Sequence, residues 1–286
     1  MNSPTRGVLI VGLALGWMFP GAARGQSVDA AAWLADRGPG VRTSIFGTYA
    51  RPGELLVSPF FEYYLDDNLE YSPSELVGGV DQDFRGRYRA SEGLLFLAYA
   101  FNDRFALELE VAAIRARLEK SPDDPSAVPP RLEESGWGDR QAQLNWRIAH
   151  ESASSPEVFS FLEVVFPSNR DKPLIGTSDW EYKLGGGVTR GWHWGTLTAR
   201  ASAAYAKSEP VVELGEFAVE YLKRLSPRFR LYAGIEGASD EIEAIGELQW
   251  HFSRRGYLRL NSGVGLTSKA TDFAPDVGVV FALPVR

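Results

Sequence analysis

The chain has 286 residues and a formal charge of −7, from 37 acidic and 30 basic side chains. That balance argues against a nucleic-acid surface. Three histidines leave little for histidine-based catalysis or metal binding, and the lack of cysteine excludes disulfides and thiolate metal sites. A hydrophobic fraction of 44% resembles that of a soluble protein, yet a barrel with an apolar outside and a wet inside averages to the same value.

In chain order, the first element is a secretory signal over residues 1–25. Arg6 supplies the positive start, residues 7–19 form a short apolar core, and Ala23-Arg24-Gly25 offers small residues before a cleavage at Gln26. The apolar run is too short and too rich in glycine for a membrane-spanning helix. Residues 26–50 read as an N-terminal periplasmic arm. Ser27 caps a short helix over 28–37 that Gly38-Pro39-Gly40 closes. The arm is expected beside or over the periplasmic end of the strand-rich region, and its entry into the lumen is left open.

From Gly53 onward, polar and apolar residues alternate at period two in segments of about ten residues. The segments are 53–66, 84–101, 104–117, 137–149, 157–166, 179–190, 194–206, 211–224, 228–239, 241–252, 256–267 and 272–284. They make about twelve strands, an even number as bacterial barrels require. In 241–252, Ile242, Ala244, Gly246, Leu248, Trp250 and Phe252 share one face. Glu241, Glu243, Glu247, Gln249 and His251 share the other, with Ile245 alone out of place. Two segments are less regular, because 94–97 and 158–165 run apolar on both faces. The expected fold is all-β: a transmembrane antiparallel up-and-down β-barrel over residues 51–286.

Connections alternate in length. Residues 101–104, 225–228 and 252–256 are tight turns, whereas 66–83, 119–136 and 167–178 are long and polar. Short periplasmic turns and long outer loops place both termini in the periplasm. Trp146, Trp180, Tyr205, Tyr221, Phe229, Trp250, Phe252 and Tyr257 fall near strand ends, where aromatic girdles meet the lipid–water boundary.

The centre of the chain carries four short motifs. Gly136-Trp137-Gly138-Asp139 opens one strand and Phe166-Pro167-Ser168-Asn169 ends the next. Ile175-Gly176-Thr177-Ser178-Asp179-Trp180 then leads into Tyr182-Lys183-Leu184-Gly185. This succession resembles the outer-membrane barrels labelled as transporters of the phenol meta-cleavage pathway. The likeness covers about residues 136–205, with Asn169 where that family tends to have glycine. It implies a barrel and the passage of small hydrophobic or aromatic compounds.

A wide barrel sets selectivity through its inward side chains. Parity turns Glu108, Glu110, Asp139, Glu163, Glu181, Glu216, Glu220, Glu236, Glu241, Glu243, Glu247 and Asp276 inward. The inward bases are Arg147, Lys183, Arg200, Arg224, Arg228, Arg230 and Arg259. Acids outnumber bases, so the expected function is a passive channel that favours cations or neutral solutes. The same residues also suit a non-conducting structural or docking barrel, with charges paired across the lumen. An outer-membrane lipid-modifying enzyme is less favoured. It needs a Ser–His pair at the outer lipid boundary, and His150, His193 and His251 all fall towards the periplasmic end. Asp66, Asp67, Glu70, Asp81 and Asp83 lack the fixed spacing of a calcium loop. No cofactor, metal or catalytic site is expected. The expected partners are outer-membrane lipid and lipopolysaccharide, a small-molecule solute and the barrel assembly machinery.

Overall fold

The computed structural model describes residues 31–76, 81–168, 171–177, 180–207, 211–239 and 241–285. A single 3-10 turn, Ala32–Leu34, stands in the arm; residues 28–30 of the expected helix lie outside the described residues. Next comes a two-rung hairpin of β1 (Val41–Arg42) and β2 (Tyr49–Ala50). Its tip turns at Gly47, whose φ of +60° suits glycine and whose Cβ position would crowd Leu222.

The barrel strands are β3 (Glu54–Tyr71), β4 (Phe84–Ala100), β5 (Phe105–Glu119), β6 (Arg131–Ala149), β7 (Glu157–Phe166) and β8 (Glu181–Trp192). They continue as β9 (Gly195–Ala206), β10 (Val212–Arg224), β11 (Phe229–Ala238), β12 (Glu241–Ser253), β13 (Gly256–Gly265) and β14 (Ala274–Pro284). Each pairs antiparallel with the next, and β14 closes the ring on β3. Closure pairs every strand on both sides, so no ladder edge faces lipid. A four-residue helix, Pro73–Leu76, sits in the loop after β3.

Three strands run farther than the alternation predicts. β3 reaches Tyr71, β5 reaches Glu119 and β6 starts at Arg131. Beyond the lipid both faces are polar, so periodicity fades while the backbone ladder continues. Ion pairs lace this rim, Arg85 with Glu70 at 3.1 Å and Arg87 with Glu119 at 3.3 Å.

Leu107, Leu109, Leu144, Leu162, Leu184, Val219, Leu231, Leu248, Leu260 and Val277 lie exposed on the outer wall. They form an apolar belt that only lipid can cover. Aromatic rings band both ends. Trp192, Trp194 and Tyr221 stack at the short-turn end, as do Phe105 and Trp146. Phe166, Trp180, Tyr182 and Tyr205 cluster at the long-loop end. Tyr257 does not belong to this outer girdle. It points inward, is buried, and its hydroxyl meets that of Thr48.

Candidate functional site

The arm lies inside the barrel rather than over its end. Its apolar residues Val41, Ile45 and Ala50 pack on Leu56, Phe96, Ala98, Ala100 and Ala106 of β3, β4 and β5. Phe46 stacks on Tyr232, with centroids 4.9 Å apart, beside Leu222 and Ile245. These contacts explain the irregular segments. The inner face of β4 is apolar because it receives the arm, and Ile245 breaks the alternation of β12 for the same reason. The inward Phe159 of β7 likewise lies under the Arg42 guanidinium, 5.3 Å from its carbon.

Polar contacts clasp the arm around the ring. Asp36 accepts the Arg224 backbone N–H at 2.8 Å. Arg37 pairs with Glu151 at 2.9 Å and Glu157 at 3.1 Å, all three side chains nearly free of solvent. Burial alone would lower the basicity of Arg37. Tyr49, Glu157 and Glu151 outweigh it and hold the guanidinium above its ordinary value. Arg42 pairs with Glu220. Glu108 accepts both the Ser44 backbone N–H, at 3.0 Å, and the Ser44 hydroxyl, at 2.6 Å. Arg147 donates to the Pro39 and Gly40 carbonyls and pairs with Glu157 at 2.8 Å. Trp33 runs so close to β8 that a Cβ on Gly191 would collide with the Trp33 carbonyl.

The loop after β7 also packs against the inner wall, at the long-loop end. Ile175, 4% exposed, packs with Ala90 and Ala116 between Tyr64, Tyr88, Ile114 and Leu174. Asp139 fixes that loop at two points, accepting the Ser168 N–H at 2.7 Å and the Thr177 N–H at 2.5 Å. The Gly-Trp-Gly-Asp motif thus clasps the two motifs next along the chain. Asn169, Ser178 and Asp179 lie outside the described residues.

Between arm and outer loop lies a cavity of about 450 Å³, bordered by nine carboxylates and four cationic side chains. On the short-turn side of the arm lies another of about 680 Å³, bordered by seven arginines, His251 and the single carboxylate of Glu54. Charge is therefore segregated along the axis, and the sequence expectation of one acid-lined lumen describes only the long-loop half.

The residues that parity turns inward divide between these features. Glu110, Glu163, Lys183, Arg200, Glu216, Glu236, Glu243, Arg259 and Asp276 border the outer cavity, together with Glu108. Most of them pair. Lys183 bridges Glu163 (3.1 Å) and Glu216 (2.5 Å), and Arg200 gathers Glu216, Glu220 and Glu236 at 2.8–3.1 Å. Arg259 holds Glu247 at 3.0 Å and Asp276 at 2.9 Å. Arg228 and Arg230 border the cavity on the short-turn side. Glu181 stands half-buried at the long-loop start of β8, and Glu241 stands exposed at the long-loop start of β12. Arg147 and Asp139 bind the arm and the outer loop.

Sequence reasoning missed Glu62, Glu92 and Tyr64, which also border the outer cavity. Glu62 and Glu92 face each other across β3 and β4. The doubly apolar run in β4 hid their parity. Among the described residues Glu62, Glu92 and Glu110 have no cationic side chain within ion-pair distance. His150 faces Asp103 at 3.1 Å, and the His251 ring lies 4.7 Å from that of Tyr257.

No family model and no curated protein matches the chain. Among solved structures it is similar to an outer membrane channel from Pseudomonas putida F1, at 17% identity and a TM-score of 0.60. That match covers 85% of this chain and 100% of the other. It is also similar to the translocator domain of the autotransporter NalP from Neisseria meningitidis, at 12% identity and a TM-score of 0.51. Here 80% of this chain and 88% of the other are covered. The two names describe different tasks, so the likeness is one of fold.

Proposed function

We propose that this chain is exported, cleaved before Gln26 and inserted in an outer membrane, where it forms a channel for small solutes gated by its own arm. One observation carries the reading. The arm divides a polar lumen that is otherwise hollow on both sides, with cavities of about 450 and 680 Å³. A barrel stabilised only by a filled interior has no need of either space. The sequence resemblance to transporters of the phenol meta-cleavage pathway supports neutral hydrophobic or aromatic solutes. Tyr64, Tyr88 and Ile114 at the outer mouth suit the entry of such solutes. The inward carboxylates favour cations and neutral solutes over anions there.

A non-conducting structural barrel is the competing reading, favoured by the ion pairs that hold the arm. Planar-bilayer recording separates the two. The full chain should give little current, and deletion of residues 31–50 should open a steady conductance. A full-length variant carrying Arg37→Ala, Arg42→Ala and Phe46→Ala should flicker between closed and open levels, because the clasp is weakened without shortening the chain. Silence in all three proteins, each migrating as a folded barrel, would leave the structural reading standing.

A further inference from the structure

The cavity on the short-turn side, which the proposed function places toward the periplasm, collects guanidinium groups with almost no counter-charge. Of its seven arginines, Arg37 is already paired with Glu151 and Glu157. Arg51, Arg224, Arg228, Arg230, Arg254 and Arg255 have no ion-pair partner among the described residues. The one carboxylate bordering the space, Glu54, accepts the Arg51 backbone N–H at 3.1 Å. The Nε of Arg230 is buried with no hydrogen-bond partner. Like charges gathered around a concave space focus a strong positive potential that attracts anions. Guanidinium groups add paired N–H donors that match the oxygens of an oxyanion.

We infer that this chamber is a binding site for a phosphate group presented from the periplasmic side. A carboxylate brings one charge, whereas a phosphate monoester brings up to about two charges and three acceptor oxygens. Six unpartnered arginines around one cavity suit the latter. The arm forms the floor of the site through Pro39, Gly40, Thr48 and Tyr49, so a bound phosphate lies against the segment that divides the lumen. The phosphate can belong to a soluble periplasmic compound or to an anionic lipid of the periplasmic leaflet, since Arg254 and Arg255 sit in the β12–β13 turn at the barrel rim. The inference does not depend on conduction, because binding is read directly.

The test uses the full-length barrel in nanodiscs and inorganic pyrophosphate as probe, read by titration calorimetry. In phosphatidylcholine discs, wild type should bind saturably, and added salt should weaken the binding by screening. The variant Arg228→Gln/Arg230→Gln/Arg255→Gln should bind about a hundredfold more weakly or worse, since each charge-assisted contact carries roughly a factor of ten. Arg255→Gln alone, in an exposed turn that leaves the ladder intact, should show a smaller loss in a protein certain to retain the barrel. Arg85→Gln at the outer rim should match wild type. Discs containing phosphatidylglycerol distinguish the sources. Loss of pyrophosphate binding, with that lipid retained by wild type and released by the triple variant, identifies a lipid headgroup. Unchanged binding identifies a soluble phosphate compound. Absence of saturable binding together with no lipid retention, or equal binding by wild type and the triple variant, overturns the inference.

Discussion

Leu248 projects from the outer wall, while Glu247 beside it is buried against Arg259 and accepts from Gln249 at 2.7 Å. Leu248→Arg places a charge in the lipid belt and should cost about 2–4 kcal/mol. On alternation alone, Glu247→Arg would point into water and cost little. The structure predicts otherwise, since the change removes the partner of a buried guanidinium and sets a second cation beside it. The expected cost is about 3–5 kcal/mol, the range for breaking a buried pair. Denaturant titration of both variants refolded in lipid checks this, and a near-neutral Glu247→Arg would show that its lumen is wetter than the packing implies. Parity told which way each side chain points; it could not tell which inward charges meet a partner. Lys183 and Glu216 lie 33 residues apart and join only because β8, β9 and β10 are neighbours in the ring.

At the level of elements, the arm and the outer loop are ordered by different chemistry. The arm rests on apolar packing reinforced by ion pairs. The outer loop rests on Asp139, which accepts two backbone N–H groups from opposite ends of the segment. Asp139→Ala leaves both donors unsatisfied and should accelerate amide exchange at Ser168 and Thr177 about tenfold, with the barrel amides unchanged. Hydrogen-exchange mass spectrometry checks the contrast, and uniform acceleration would mean that Asp139 supports the wall itself. The motifs around Asp139 were visible in the sequence, but their meeting was not. That meeting depends on β6 and β7 being adjacent. The arm was legible only as a short segment before the strands. The force that draws it inward is the apolar inner face of β4, which in the sequence reads as a broken alternation.

For the whole molecule, the central fact is the axial separation of charge, with acids on the long-loop side of the arm and arginines on its short-turn side. Once the arm is removed, ions crossing the long-loop half pass Glu62, Glu92 and Glu110, none with a cationic partner within ion-pair distance among the described residues. A salt gradient across a bilayer of the 31–50 deletion should therefore give a cation-selective reversal potential. Adding Glu62→Gln, Glu92→Gln and Glu110→Gln should shift it toward anion selectivity as the arginine-lined half comes to dominate. High salt should weaken both preferences by screening. An unchanged potential would show that these carboxylates carry no charge in the open state.

By itself the sequence determined the closed barrel, its twelve antiparallel strands and the gathering of tight turns at one end. All of these come from local rules: period-two alternation and loop length are properties of contiguous residues. The tertiary structure alone decided that the arm enters the lumen, that Tyr257 turns inward, that inward acids such as Glu216 and Asp276 meet cationic partners and that the charges sort along the axis. Each of those depends on which strands become neighbours when the ring closes and on what fills the space they enclose. Closure brings together residues more than a hundred positions apart, such as Arg37 and Glu157, and alternation along a strand carries no information about such pairs.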